Sequence, residues 1–212
     1  MFAKTALLRF AVLGLAASLL VSTRAQSSDH VEHRFERAEE WAPALDDPAR
    51  DAWQKPDEVV RALALPPDAV VADIGSGTGY FAVRFARAVP QGRVLGMDIE
   101  PDMVRYLNER AAREGLSNLV SYRGGADDPR LPVPVDLAIF VAVYHHIDTR
   151  EQYFRRVRAA LKPGGRVAII DAHRIPPEQV KQELAGAGFE LAQEHAFLRD
   201  QYFLVFRPAA PK

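Results

Sequence analysis

Cysteine is absent from the chain. Disulfides, thiolate metal sites, a cysteine nucleophile and thiol-dependent arsenic chemistry are therefore excluded together. A surplus of either charge is also missing, since 27 basic residues face 28 acidic ones for a formal charge of −1. No basic cluster with interleaved aromatics occurs, so neither nucleic acid nor an anionic membrane is an expected partner. Internal repeats and low-complexity stretches are lacking too. What remains, 212 residues of which 48% are hydrophobic and 26% charged, is enough apolar material for one well-buried core.

One apolar run stands apart. Lys4 and Arg9 precede Phe10 to Val21, which ends in Ser22-Thr-Arg-Ala25. The run is short for a membrane-spanning helix, which needs about 20 apolar residues, and Thr23 and Ala25 have the small-residue spacing of a signal-peptidase site. The pattern predicts an export signal over residues 1–25, cleaved before Gln26, with the periplasm as destination. An uncleaved membrane anchor, or a cytoplasmic protein with a mis-set start codon, are the alternatives. Cleavage removes three bases and no acids, taking the formal charge from −1 to −4 and leaving no stable membrane association. Residues 26–60 then read as a helical lead-in and 61–212 as the domain.

Within that domain short apolar runs alternate with stretches of helical spacing. Ala69–Ile74 ends at Gly75 and is followed by Ala82, Phe85, Ala86 and Val89 on one face. Arg93–Met97 precedes a helix opened by Pro101, with Met103, Leu107 and Ala111 inward, and closed near Gly115. Leu119–Tyr122 is a third strand, and Val135–Val143 a fourth, apolar enough to be covered on both faces. The next helix carries Phe154, Val157 and Leu161 and stops at Lys162-Pro-Gly-Gly165, before a fifth strand over Arg166–Asp171. A last helix is marked by Val180, Leu184 and Ala187. Phe189–His195 and Gln201–Phe206 then form a hairpin. The order predicts an α/β fold: a Rossmann-like, doubly wound, mostly parallel seven-stranded sheet with a C-terminal antiparallel hairpin. Its ligand crevice should lie beyond the carboxyl ends of the strands.

The chemistry concentrates at those ends. Asp73-Ile-Gly75-Ser76-Gly77-Thr-Gly79 sits at a strand-to-helix junction, where glycines allow a sharp turn and a close ligand approach. A dinucleotide fingerprint would place its third glycine at Tyr80. Asp98 ends the second strand, where a carboxylate can accept from both hydroxyls of a ribose, and Asp127 and Asp128 follow the third, within reach of an adenine amino group. Just past the central strand stand His145 and His146, candidate general bases or, on the blander reading, packing groups of the rim. His30 and His33, three apart with Glu32 and Glu36 nearby, have helical spacing for a metal pair, but with no third ligand to name the expected reading is a solvated helix face. Trp53 and Lys55 could fold over the cleft, and Tyr80 and Tyr144 could form its walls.

The G-x-G-x-G turn preceded by Asp73 resembles motif I of class I S-adenosylmethionine-dependent methyltransferases. The resemblance runs over residues 29–207 and includes Trp53-Gln-Lys-Pro56, Asp98-Ile-Glu-Pro-Asp-Met103, Tyr144-His-His-Ile147 and Leu161-Lys-Pro-Gly-Gly165. It implies S-adenosylmethionine as cofactor and methyl transfer to a small molecule that the motifs do not specify. By it, Asp73 or its neighbouring backbone, with Gly75, Ser76, Gly77 and Gly79, would hold the methionine part. Asp98 would take the ribose, with Ile99 and Met103 beside it, and Ala126-Asp127 the adenine edge. The segment after Asp171 is brief and leaves little chain for a substrate lid. Export conflicts with a cofactor made in the cytoplasm, and so leaves open a non-catalytic binder of S-adenosyl compounds or nucleosides. An oxidoreductase is disfavoured by Tyr80.

Overall fold

The structure is a computed structural model and describes residues 37–210. The expected export signal and the His30–His33 pair lie outside them. Three short helices, α1 (Ala38–Leu45), α2 (Arg50–Gln54) and α3 (Pro56–Leu63), precede the sheet. The expected boundary at residue 61 falls inside α3.

Strand β1 (Val70–Ile74) is followed by α4 (Ala82–Ala88), β2 (Arg93–Asp98), α5 (Pro101–Arg113) and β3 (Leu119–Arg123). Then come β4 (Val135–Val141), α6 (Arg150–Ala159), β5 (Leu161–Ala172), α7 (Pro177–Gly186), β6 (Phe189–His195) and β7 (Gln201–Pro208). They form one seven-stranded sheet in the order β3-β2-β1-β4-β5-β7-β6. The pairings from β3 to β5 are parallel; β7 is antiparallel to both β5 and β6. The expected architecture, C-terminal hairpin included, is therefore the one observed.

Helices cover both faces. On one, Leu63 of α3, Phe81, Phe85 of α4 and Leu107 of α5 pack against Val71, Ile139 and Ile170. On the other, Phe154 and Val157 of α6 and Val180 and Leu184 of α7 pack against Ile74, Phe140 and Ile169. The central strands carry apolar side chains to both layers, which is why they read as unbroken runs rather than as alternation. Pro101 opens α5 at a position where its missing N–H costs nothing.

Two expectations at strand ends are corrected. The Lys162–Gly165 turn does not separate α6 from β5. The strand starts at Leu161, so that residue belongs to β5 rather than to the helix, and the turn is absorbed as a bulge where pairing jumps from Val135↔Leu161 to Leu137↔Arg166. Strand β4 stops at Val141, not Val143, because Ala142 adopts a left-handed φ of 56° that strands do not accommodate. After that bend Tyr144–His146 form a single 3-10 turn. The switch point of the sheet lies between β1 and β4, where chains leave in opposite directions and open a crevice.

Candidate active site

The glycine turn after β1 and the bend after β4 meet at this crevice. A Cβ built on Gly75 would come within 2.4 Å of the Val143 side chain, and one on Gly79 within 2.2 Å of Leu107. Those two glycines are required by the protein's own packing. Among the described residues, a Cβ on Gly77, at φ 52°, would meet only Leu45 Cδ1 at 3.7 Å. Gly77 therefore presents bare backbone to open space, the cradle a ligand needs.

The turn's amides point inward. Gly75 N–H and Ser76 N–H donate to the Met97 carbonyl at 2.8 and 3.0 Å, Gly79 N–H donates to Ser76 O at 2.9 Å, and Gly77 N–H donates to Asp98 Oδ2 at 2.8 Å. The Ser76 hydroxyl is buried without a hydrogen-bond partner among the described residues, beneath the turn beside Gly96. Ser76 thus turns neither its N–H nor its hydroxyl to the cleft. A phosphate-binding loop works the other way, with its N–H groups aimed at the anion.

Carboxylates strengthen the contrast. Asp73 is buried at the end of β1, and its pKa is pushed up to about 7, first by burial and then by Asp98 opposite. Asp98, 8% exposed, has each oxygen holding one backbone N–H, from Gly77 and from Glu100 at 3.0 Å. The Ile99 N–H also acts on this carboxylate, which with about four acceptor sites still has capacity for a ligand donor. Burial raises the Asp98 pKa, while those backbone bonds oppose the rise. Beside it Ile99 is 46% exposed, a large apolar side chain open to solvent at the rim. Met103 is buried in α5. The main-chain bond from Gly124 N–H to Asp98 O, 3.0 Å, draws the loop after β3 to the same rim. Ala126 and Asp127 are exposed there, and Arg156 of α6 donates to the Asp127 carbonyl.

What crosses the turn differs from expectation. Trp53 is 42% exposed on α2, whereas the segment Leu45–Asp51 makes the contacts. Thr78 Oγ1 donates to Asp46 at 3.0 Å, and Arg110 bridges Asp46 at 2.8 Å and the Thr78 carbonyl at 3.1 Å. Tyr80 is no open wall: its ring lies between the Arg50 and Arg84 guanidinium groups, 3.9 and 4.2 Å from the centroid, and its hydroxyl donates to Asp51. Tyr144 is likewise buried, its hydroxyl donating to Glu183 of α7.

The two histidines part company. His146 is exposed, with its ring 4.0 Å from that of His145. His145 Nδ1 lies 2.8 and 2.9 Å from the two oxygens of Asp171, the fully buried residue near the end of β5. Asp171 went unnoticed as a site residue in the sequence. Its signal was an acid at the carboxyl end of the strand neighbouring β4.

Residues 71–165 match the family described as methyltransferase domain. Arsenite methyltransferase of Halobacterium salinarum is 34% identical over 118 residues, 54% of this chain and 30% of that protein. The ribosomal protein L11 methyltransferase of Thermus thermophilus is 30% identical over 140 residues, 65% of this chain and 52% of that protein. The chain thus spans about half or less of the length of these curated relatives. A solved SAM-dependent methyltransferase from Aquifex aeolicus superposes with a TM-score of 0.71 at 22% identity, covering 79% of this chain and 96% of that one. Residues 71–165 thus match a methyltransferase domain, and the strand order is that of a fold shared with a solved SAM-dependent methyltransferase.

Proposed function

We propose that the chain is an enzyme that transfers a methyl group from S-adenosylmethionine to a small-molecule acceptor. One observation carries the reading: the glycine turn spends its amides inward and is flanked by two buried carboxylates, Asp73 and Asp98. Such a cleft repels phosphate and suits a ligand bearing cationic and hydroxyl donor groups. S-adenosylmethionine, when bound, supplies a methyl group on a positively charged sulfur. Asp98 would accept from the ribose hydroxyls, Ile99 would be covered by the adenine ring, and the backbone around Gly77 would face the methionine part. Ala126 and Asp127 would border the adenine edge. What the protein supplies is chiefly alignment, since an in-line displacement gains most from holding its reacting atoms in register.

The likeness to arsenite methyltransferase brings the fold without the metalloid. Soft metalloids are held by thiolates, and this chain has no cysteine. The expected export signal remains part of the proposal; intact-mass and N-terminal analysis of the expressed full chain should find mature protein beginning at Gln26. Retention of Met1 in soluble cytoplasmic protein would place the enzyme where its cofactor is made.

The cofactor reading is tested by calorimetry. Asp98→Ala is expected to weaken S-adenosylmethionine binding by about 2 kcal/mol, through loss of two charge-assisted hydrogen bonds. NAD should bind to neither protein. A folded variant with parental affinity would remove Asp98 from the ribose site.

A further inference from the structure

We propose that the methyl acceptor is a hydroxyl compound of phenol-like acidity, whose proton is taken by Nε2 of His145 while Asp171 positions the ring. The inference rests on the methyltransferase reading above and adds to it the acceptor class and the base.

The geometry fixes which nitrogen is basic. Asp171 lies near the carboxyl end of β5, fully buried, and its side chain accepts from Ala172 N–H at 2.8 Å and from His145 N–H at 3.3 Å. Both its oxygens also face His145 Nδ1. Carboxylate oxygens accept, so the proton of that contact sits on Nδ1 and the lone pair of the neutral ring is left on Nε2. Free imidazole has no such constraint. No hydrogen bond among the described residues reaches Nε2, the side chain is 15% exposed, and Nε2 is not one of the buried atoms without a partner, so this nitrogen is left accessible.

The position is built, not incidental. Ala142, at φ 56°, turns the chain out of β4 so that His145 falls beside the neighbouring strand's last turn, two residues beyond the Val143 side chain that packs on Gly75. A left-handed non-glycine residue is a strained choice that packing must hold in place. His146 lies against one face of the imidazole. Around Asp171 stand Tyr202 of β7, whose buried hydroxyl has no partner among the described residues, and Arg150 of α6 and Glu183 of α7 beyond it.

An oriented base discriminates among acceptors. A thiol ionises near pH 8.5 and a neutral amine already carries its lone pair, so neither needs one; a phenolic hydroxyl, ionising near pH 10, does. In the step, the acceptor O–H gives its proton to Nε2. The oxygen's electron pair forms the new O–CH3 bond, and the pair of the broken C–S bond returns to sulfur, which leaves as a neutral thioether. His145 then carries the proton as imidazolium and loses it to solvent.

The test has two arms, both on the full chain. Nitrogen-15 NMR of the unmutated protein should show neutral His145 as the Nδ1–H tautomer, and Asp171→Asn should move the proton to Nε2 by offering an amide N–H to Nδ1. An Nε2–H tautomer in the parent overturns the proposal whatever the fate of any variant. In the second arm S-adenosylhomocysteine release is followed with phenol, 4-nitrophenol, thiophenol and aniline as acceptors. Phenol turnover is expected, with His145→Gln lowering its kcat at least about 100-fold at unchanged KM for S-adenosylmethionine, and with a much smaller loss on 4-nitrophenol, which ionises near neutrality. Turnover confined to thiophenol or aniline, no phenol turnover by protein that binds S-adenosylmethionine, or a His145→Gln variant as fast as the parent on phenol would each overturn it. Failure to bind S-adenosylmethionine in calorimetry would instead remove the methyltransferase reading itself.

Discussion

Replacing Asp73 by Asn is expected to raise the unfolding free energy at pH 8 by on the order of 4 kcal/mol, and to change it by less than about 1 kcal/mol at pH 4. The carboxyl at the end of β1 has its folded pKa raised from 3.8 to about 7, through burial first and the facing Asp98 second. Between these two values the folded protein keeps a proton that the unfolded chain releases, so stability falls as pH rises through that window and is flat above it. Asn keeps the shape and can still accept the backbone N–H of Ala82, but has no proton to lose. Urea unfolding of parent and variant at pH 4, 6 and 8 should therefore show two curves diverging with pH. Parallel curves would mean that Asp73 is solvated in the folded state.

A buried acid that destabilises the fold at neutral pH is hard to explain by folding alone. It is easier to explain beside a cleft that receives a cation, where the charge of the ligand offsets the burial. The strand, turn and helix around Gly75–Gly79 were legible because each rests on local signals: an apolar run, glycines at fixed offsets, and Pro101 and Gly115 around α5. The place of Asp98 at the end of β2 was legible because a strand end is a local feature. The pair His145–Asp171 was not, since it joins residues 26 apart through the neighbourhood of β4 and β5, which no periodicity reports. Nor was the crossing of the glycine turn by Leu45–Asp51, held by Asp46–Arg110 over 64 residues. The Lys162–Gly165 turn misled for a different reason. Proline and glycine usually end a strand, yet at a bulge the ladder resumes on the far side, as it does at Arg166.

Gly77→Val is expected to abolish detectable S-adenosylmethionine binding, a loss of at least about 100-fold, while lowering the unfolding free energy by only about 1–2 kcal/mol, the cost of a left-handed residue with a side chain. The asymmetry comes from what surrounds each glycine. At Gly79 an added Cβ would drive into Leu107 at 2.2 Å, so Gly79→Ala should fail mainly in stability, by about 3 kcal/mol of combined overpacking and strain. At Gly77 only Leu45 lies near among the described residues, at 3.7 Å, so the valine branches would project into the space in which the ligand is expected to approach. Calorimetry and urea unfolding on the two variants separate the cases: binding lost in a stable Gly77→Val protein, and stability lost first in Gly79→Ala. A stable Gly77→Val protein that binds S-adenosylmethionine as the parent does would mean that the ligand never approaches this turn, and the site would have to be sought away from the β1–β4 crevice.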